Sequence, residues 1–264
     1  MSMTERAALV ENLFAMMSTF ARCRPDAEVW EDAGLLCVYS GLPGAVFNSV
    51  LLTEPVRDRE ELRLKLDYVD ALYKRRCARW SLWLVEHYVP NELLGGIGGM
   101  LDRYGLKNTI RGQGMIATEF SPPLRTLPQL EICPVYSPAS RFDFCHVMSV
   151  AFRTPLSIFI DVYNNSDYWD GLLRGFVAYS GNRAVGTACI LPAAGVLGVY
   201  GVAVLPDVQR KGIGERILRY GLETLAAETG LTTTVLESSE IALPLYRRLG
   251  FRSIASLTIY NESR

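Results

Sequence analysis

A strand that turns through two glycines directly into a helix constrains this chain more than any other stretch. Residues 199–205 form an apolar, β-branched run typical of a buried strand, and Pro206 ends it because proline cannot donate to a sheet. Residues 209–214, QRKGIG, lead into residues 217–226, where apolar side chains recur at helical spacing. The pattern predicts a strand–turn–helix unit with a glycine loop at its turn.

This loop has the properties of a diphosphate-binding site. The first N–H groups of a helix have no partner within the helix, and together with the positive end of its dipole they attract anions. Gly212 and Gly214 lack the Cβ atoms that would keep a phosphate at a distance, and Arg210 and Lys211 add positive charge. The glycine spacing differs from the Walker and dinucleotide-binding patterns. Diphosphate is therefore the predicted ligand, and the alternative is a turn that only closes the unit.

Two motifs resemble those of the GCN5-related N-acetyltransferases (GNAT). The coenzyme A loop of that family is Gln/Arg-x-x-Gly-x-Gly/Ala after a Val-x-Val-x-Pro strand, and the family ends with a strand, a helix carrying Leu-Tyr, and Gly-Phe. Both motifs occur here in the family's order, as Val202, Val204, Pro206 and residues 209–214, and then as residues 233–236, 245–246 and 250–251. The resemblance covers residues 128–260 well and the first half only in outline.

The resemblance implies an α+β (mixed α/β) fold, with a mostly antiparallel central sheet flanked by helices and two tandem GNAT-like domains. Residues 128–264 would form the acyl-CoA-binding catalytic domain. Residues 1–125 would be a degenerate copy, because they repeat the outline of the second half without its glycine loop, or else a substrate-binding or dimerising domain. The proline-rich segment 121–128, SPPLRTLP, is typical of a linker.

Hydrophobic periodicity and turn residues predict the remaining elements. Helices are expected over residues 4–22, 91–104 and 140–152, and from Asp58 and Thr154 onward, the last with Thr154 as its cap. Strands are expected over residues 35–39, 46–52, 80–85, 115–120, 130–136, 173–180, 183–191 and 252–260. The first two are expected to form a hairpin, as are the strands at 173–180 and 183–191.

Composition argues against several classes of protein. Hydrophobic residues make up 49% and charged residues 21%, which indicates a globular chain, and the net charge of -1 gives no general attraction to nucleic acid or to a membrane surface. No apolar run reaches the roughly 18 residues of a membrane span, and no signal peptide is recognised, so a cytoplasmic location is expected. The six cysteines form no Cys-x-x-Cys pair and there are two histidines, so no metal site is expected and the thiols are interpreted as buried and free.

The resemblance implies acetyl-CoA as cosubstrate and assigns its contacts to the central strand, the glycine loop and the last helix. The residues concerned are Val202, Ala203, Val204, Gln209, Arg210, Lys211, Gly212, Ile213, Gly214, Glu215, Ser239 and Tyr246. Ser239 stands where many relatives carry an asparagine that touches the coenzyme. Its alternative role is to cap the helix that contains Tyr246.

Two residues are candidates for proton transfer. Tyr246 matches the family's Leu-Tyr tyrosine and would be the general acid, because a suitably placed phenol of pKa about 10 can protonate a departing thiolate of pKa about 8.5. Glu237, at the end of the strand before it, would accept the proton of the amine. The alternatives are a packing role for Tyr246 and a structural or solvated carboxylate for Glu237.

The function implied is an acyl-CoA-dependent N-acyltransferase, transferring acetyl from acetyl-CoA directly to an amine in a ternary complex. The acceptor would be a small-molecule or peptide amine, with neither nucleic acid nor membrane as a partner. A homodimer is left open, since dimers are common in the family. The alternative function is a non-catalytic acyl-CoA-binding sensor or interaction protein.

Overall fold

The chain forms two compact units, each assembled from discontinuous segments. A computed structural model describes residues 3–22 and 24–263. We call the two units the loop unit, which comprises residues 3–15, 116–236 and 245–252, and the companion unit, which comprises residues 16–115, 237–244 and 253–263. The sequence alone suggested a linear division near residues 125–128, whereas each unit contains segments from both halves of the chain.

The elements follow in chain order. The helices are α1 (Met3–Ser18), α2 (Arg59–Arg75), α3 (Asn91–Leu94), α4 (Ile97–Leu101), α5 (Pro138–Phe152), α6 (Leu156–Tyr163), α7 (Ile213–Thr229) and α8 (Leu243–Arg248). The strands are β1 (Glu28–Asp32), β2 (Leu35–Tyr39), β3 (Ser49–Leu52), β4 (Ser81–Val85), β5 (Leu106–Ala117), β6 (Glu131–Pro134), β7 (Arg174–Ser180), β8 (Arg183–Ala193), β9 (Val196–Val204), β10 (Thr234–Ser239) and β11 (Arg252–Glu262).

The loop unit is built on strands in the order β10-β9-β8-β7-β6. β6 to β9 are antiparallel neighbours, whereas β10 runs parallel to β9 and α7 connects the two. α7 packs on the sheet with an apolar face that includes Ile217, Leu218 and Leu222, and its Tyr220 ring meets Phe176 of β7 edge to face. The central strand β9 therefore feeds directly into the helix that the glycine loop begins.

The first part of α1 is fixed to the loop unit by one buried side chain. The Asn12 amide nitrogen donates to Ala193 O at 2.9 Å and to Leu191 O at 3.1 Å, and its oxygen accepts from Tyr200 Oη at 2.7 Å. Asn12 is fully buried, so all its polar atoms depend on these partners. The start of the chain is thereby attached to the β8–β9 hairpin.

The companion unit has the strand order β1-β2-β3-β4-β11-β5. β1, β2 and β3 are antiparallel, and β4 runs parallel to β3 with α2 connecting the two. β11 pairs antiparallel with β4, with Tyr260 opposite Leu82. The buried core includes the stacked pair Tyr73 and Trp80 and also contains Tyr260, so residues from both ends of the chain complete it.

The two units share one connectivity. In the companion unit, three antiparallel strands lead through α2 to a parallel strand, and in the loop unit β7, β8 and β9 lead through α7 to β10 in the same way. The helix starts differ. Asp58 caps α2 with its side chain, which accepts from Glu61 N at 2.9 Å, whereas Gly212 precedes α7 without a side-chain cap.

Most predicted elements are present with shifts at their ends. The antiparallel pair of β2 and β3 and the start of α2 after Asp58 are confirmed. The helix expected to begin at Thr154 begins at Leu156, with Pro155 as the residue before it, because the Thr154 hydroxyl donates to Phe152 O and caps nothing.

Two predicted elements differ from the structure, and one strand was missed. The helix expected over residues 91–104 is broken into α3 and α4, because Gly95 and Gly96 separate two short turns. The strand expected over residues 115–120 is β5, which begins at Leu106. β1 was not expected at all, since three of its five residues are charged and most of it is exposed.

Two further features bear on the expectations from composition. No helix among the described residues is both long and apolar enough to cross a membrane. Cys37, Cys145 and Cys189 are buried free thiols and Cys77 is exposed, while Cys23 lies outside the described residues. The interpretation as buried thiols therefore holds for the first three and is wrong for Cys77.

Candidate functional site

The central strand β9 extends beyond the end of its parallel neighbour β10. β10 pairs with β9 at three positions, ending with Leu236 opposite Val199. β9 continues from Tyr200 to Val204 and keeps β8 on its other side, where Ala203 lies opposite Thr187. On the side of β10, the last residues of β9 therefore have no partner from that strand, and their backbone groups can form hydrogen bonds with an extended ligand.

A β-bulge changes the direction of this part of β9. The register with β8 shifts between Thr187 and Cys189, and the residue accommodated in β9 is Gly201, with a φ of 57°. The Thr187 hydroxyl donates to Gly201 O at 2.9 Å and fixes the irregularity. A bulge bends its strand and increases the local twist, so Val202 and Val204 follow a direction different from that of Val199.

The glycine loop presents an uncapped helix start. Gly212 adopts a left-handed φ of 87° immediately before α7, and no side chain caps the helix. The first internal bond is donated by Arg216 N to Gly212 O at 2.9 Å, so the amides of Ile213, Gly214 and Glu215 precede it. A Cβ on Gly212 would lie 3.2 Å from Pro128 Cδ. Glycine is therefore required here by conformation and by space.

Hydrogen bonds hold the rest of the loop. The Gln209 side chain donates to Val204 O at 3.1 Å and ties the loop to the end of β9. Arg210 has a φ of 62°, and its carbonyl accepts from Arg125 Nη2 at 2.6 Å. Lys211 is exposed. Arg210 and Lys211 therefore lie beside the helix start, as expected from sequence.

The carboxylates near this helix start are already paired. The buried Glu215 carboxylate accepts from Arg219 at 2.9 Å and lies 3.8 Å from Arg248. Its charge is therefore neutralised, and the part of Glu215 that is available to a ligand at the loop is its backbone amide. Asp207 forms a two-bond pair with Arg183, which lowers the pKa of that carboxyl. Pairing removes most of the local repulsion that an anionic ligand would meet.

Tyr246 lies in the loop unit on the short helix α8. It is buried, and its ring meets Phe251 edge to face with centroids 5.7 Å apart. The carbonyl of Tyr246 accepts from Phe251 N at 3.0 Å, which closes the turn after α8. Packing and backbone bonding fix this tyrosine, so its ring has a defined position.

Glu237 and Ser239 belong to the companion unit, at the end of β10. Burial raises the pKa of Glu237 to about 8, and its Oε1 atom is buried without a hydrogen-bond partner among the described residues. Ser239 is exposed, and its carbonyl accepts from Ala242 N at 3.0 Å. Because α8 begins at Leu243, Ser239 lies too far upstream to be its cap.

Sequence reasoning missed two contributors to this region. Arg125 was interpreted as part of a plain linker, yet its guanidinium contacts the loop. Arg219 was not singled out, although it binds Glu215 and donates to Ser121 O at 2.5 Å. Arg219 follows Glu215 by one helical turn, a spacing that predicts an ion pair, whereas nothing in the local sequence around Arg125 indicates a contact.

Comparison with known proteins finds a family model that matches part of the second half of the chain. Residues 172–253 match the model of the acetyltransferase (GNAT) domain. No curated protein sequence matches the chain. The structure is similar to a GCN5-related N-acetyltransferase from Kribbella flavida, with 18% identity, a TM-score of 0.69, and coverage of 97% of this chain and 96% of that one.

Two other solved structures share the fold over nearly the whole chain. A conserved protein of unknown function from Staphylococcus epidermidis is 17% identical with a TM-score of 0.68, and the match covers 94% of this chain and 99% of that one. A tandem GNAT protein from the clavulanic acid biosynthesis pathway is 11% identical with a TM-score of 0.57, covering 96% and 94%. The predicted GNAT resemblance and mixed α/β fold are confirmed.

Proposed function

We propose, from the premise that residues 172–253 match the acetyltransferase (GNAT) domain, that this protein transfers acetyl from acetyl-CoA to an amine. The observation that carries the proposal is the start of α7, which follows Gly212 and has no side-chain cap. It lies just after β9, a strand that extends beyond its parallel neighbour β10. The loop and the strand edge together fit the diphosphate and the extended arm of coenzyme A. Direct transfer in a ternary complex requires acetyl-CoA and the amine to be bound at once, with the thioester held in place beside the amine.

The loop fits a diphosphate by its donors and its space. The amides of Ile213, Gly214 and Glu215 would bind phosphate oxygens, since no side chain caps them, and Arg210 and Lys211 add charge. A Cβ at Gly214 would meet Val204 Cγ2 at 3.5 Å, so the helix start and the strand end are adjacent. Gly212 and Gly214 let the backbone approach the ligand closely.

Residues of β9 would hold the arm that carries the acyl group. By resemblance to the family, backbone groups of Val202 and Val204 would pair with the pantetheine arm, and an N–H of this segment would polarise the thioester carbonyl. Acetyl-CoA, when bound, supplies an activated acyl group with a thiolate as the leaving group. The protein's own contribution at this point is orientation and stabilisation of negative charge on the carbonyl oxygen.

Two side chains would move the protons. The Tyr246 phenol would donate a proton to the departing sulfur, and its packing against Phe251 restricts the ring to one place. Glu237, with its pKa raised to about 8, would accept the proton that the amine must lose. A carboxylate of such pKa is a stronger base than an exposed one, but only a minor fraction of it is ionised at pH 7, so the rate should rise as the pH approaches about 8.

The companion unit is proposed to be a degenerate copy of the same domain. It shares the connectivity of the loop unit, but the equivalent helix start at α2 is occupied by the Asp58 carboxylate, and Glu60 and Glu61 follow in the first turn. Negative charge there repels phosphate. One coenzyme molecule per chain is therefore expected by calorimetry.

The proposed function is tested by release of free coenzyme A from acetyl-CoA in the presence of a library of small-molecule and peptide amines. Tyr246→Phe should lower kcat by about 10²- to 10⁴-fold with coenzyme affinity unchanged. Tyr220→Phe on α7, whose partly buried ring packs on Phe176, is the matched control and should keep full turnover.

Two outcomes would contradict this function. If wild-type protein binds coenzyme A tightly but releases none with any amine, the alternative of a non-catalytic acyl-CoA-binding protein replaces it. The exposed Ser239, in place of the family's asparagine, is the observation that favours this alternative. If Tyr246→Phe retains full turnover, the general acid is another group.

A further inference from the structure

The segment between the two halves is attached to the loop unit at both ends. Ser121 N donates to Leu249 O at 3.1 Å, and Ser121 O accepts from Arg219 Nη2 at 2.5 Å. Farther along, Arg125 Nη2 donates to Arg210 O at 2.6 Å. The segment from Ser121 to Pro128 therefore runs past the glycine loop in a defined path.

Its second half lies close to Gly212, the residue immediately before α7. A Cβ built on Gly212 would lie 3.2 Å from Pro128 Cδ, 3.5 Å from Leu127 Cδ2 and 3.7 Å from Arg125 Nε. These three close approaches mean that the linker forms one wall beside the loop. The wall carries one charge, that of Arg125.

The Arg125 guanidinium has donors to spare. Arginine has five N–H donors, and the described hydrogen bond of Arg125, to Arg210 O, uses one of those on Nη2. No carboxylate among the described residues forms an ion pair with Arg125, because Asp207 is paired with Arg183 and Glu215 with Arg219. An exposed, unneutralised guanidinium beside unpaired helix amides is suited to bind phosphate oxygens in a fork geometry.

We propose that Arg125 is a diphosphate-binding residue of the coenzyme site, supplied by the linker. It holds the left-handed Arg210 through its carbonyl and directs its remaining donors to the phosphates that the amides of α7 bind. This inference rests on the proposed function. It extends the coenzyme site to a residue outside the matched domain at 172–253.

The test is calorimetry on the full chain with coenzyme A and with dephospho-coenzyme A, which keeps the diphosphate and lacks the 3′-phosphate. Arg125→Ala should weaken both ligands about ten- to a hundredfold, the range for one hydrogen bond to a charged group. Arg125→Lys should weaken both ligands less than alanine does, because it keeps the charge but loses the fork of donors. Arg125→Gln should lose as much as alanine.

The salt dependence of coenzyme affinity and a control variant separate binding from a purely structural role. The salt dependence of coenzyme affinity should be shallower in Arg125→Gln than in wild type, since one fewer cation contacts the ligand. Arg75→Ala is the matched control, because Arg75 is also exposed and also donates to a backbone carbonyl, that of Ala71. It should leave affinity and salt dependence unchanged.

The proposal is overturned if Arg125→Ala binds both ligands like wild type, or if glutamine restores affinity fully. It is also overturned if only coenzyme A is weakened, because Arg125 would then contact the 3′-phosphate. Absence of binding by wild-type protein would instead overturn the proposed function, and with it this inference. The failures of the two are therefore distinguishable.

Discussion

Replacing Gly212 by alanine separates coenzyme binding from stability. Gly212 has a φ of 87°, a conformation that costs an alanine about 1–2 kcal/mol, and the new Cβ would lie 3.2 Å from Pro128 Cδ. If the loop relaxes to relieve this strain, the amides at the start of α7 turn away from the phosphates. Losing one hydrogen bond to a charged group, about 1.5–3 kcal/mol, raises the Kd for coenzyme A about ten- to a hundredfold.

The same helix offers the control. Gly230 follows α7 with a φ of 74°, and a Cβ there meets nothing within 4 Å. Gly230→Ala should therefore reduce the free energy of unfolding by a similar 1–2 kcal/mol, measured by urea titration, with coenzyme affinity unchanged in calorimetry. The reasoning is refuted if Gly212→Ala binds coenzyme A like wild type, or if Gly230→Ala weakens binding equally.

Three further predictions test other parts of the molecule. Burial raises the pKa of Glu237 from 4.5 to about 8, so its contribution to stability is full below pH 4.5 and is lost as pH rises through about 8. Glu237→Gln should therefore gain stability relative to wild type between about pH 5 and pH 9 in urea titrations, and a constant difference would contradict the shift. Asn12→Leu should lower the free energy of unfolding by about 2–4 kcal/mol, because the carbonyls of Leu191 and Ala193 lose their donor; a loss below about 0.5 kcal/mol would mean that water replaces the amide. Asp58→Ala should cost about 1 kcal/mol through loss of the α2 cap and leave coenzyme affinity unaltered in calorimetry, whereas altered affinity would assign the companion unit a part in binding.

The glycine loop and its flanking elements could be predicted because their signals are local. An apolar run, a proline, two glycines and a helical period within residues 199–226 specify β9, the turn and α7 without reference to any distant residue. The contact residues 202–204 and 209–215 therefore lie where the sequence placed them along these elements. Their role in binding stays a prediction.

β5 shows where local signals fail. Residues Lys107 to Arg111 are all exposed, so no alternation of apolar and polar residues marks the first half of the strand. Only its buried end, from Met115 to Ala117, has the composition of a strand, and the sequence prediction began there. The strand exists because β11 pairs with it, and a single sequence does not reveal that partner.

Asn12 and Arg125 could not be predicted for a related reason. Asn12 is one of several polar residues in its helix, and its acceptors lie about 180 residues away. Arg125 reaches the carbonyl of Arg210, 85 residues farther along. Contacts at such separations depend on the assembled fold, whereas helix periods and turn residues report only on neighbours.

The pairing of β11 with β4 has a consequence for synthesis of the protein. Val85 and its partner Leu257 are 172 positions apart, and at about 5–20 residues per second the ribosome needs roughly 10–35 s to make the second after the first. During that interval the edge of β4 is bare, and Tyr260 is missing from the core around Trp80. Until β11 emerges from the ribosome, the nascent amino-terminal half therefore exposes the edge of β4, where aggregation can start or chaperones can bind.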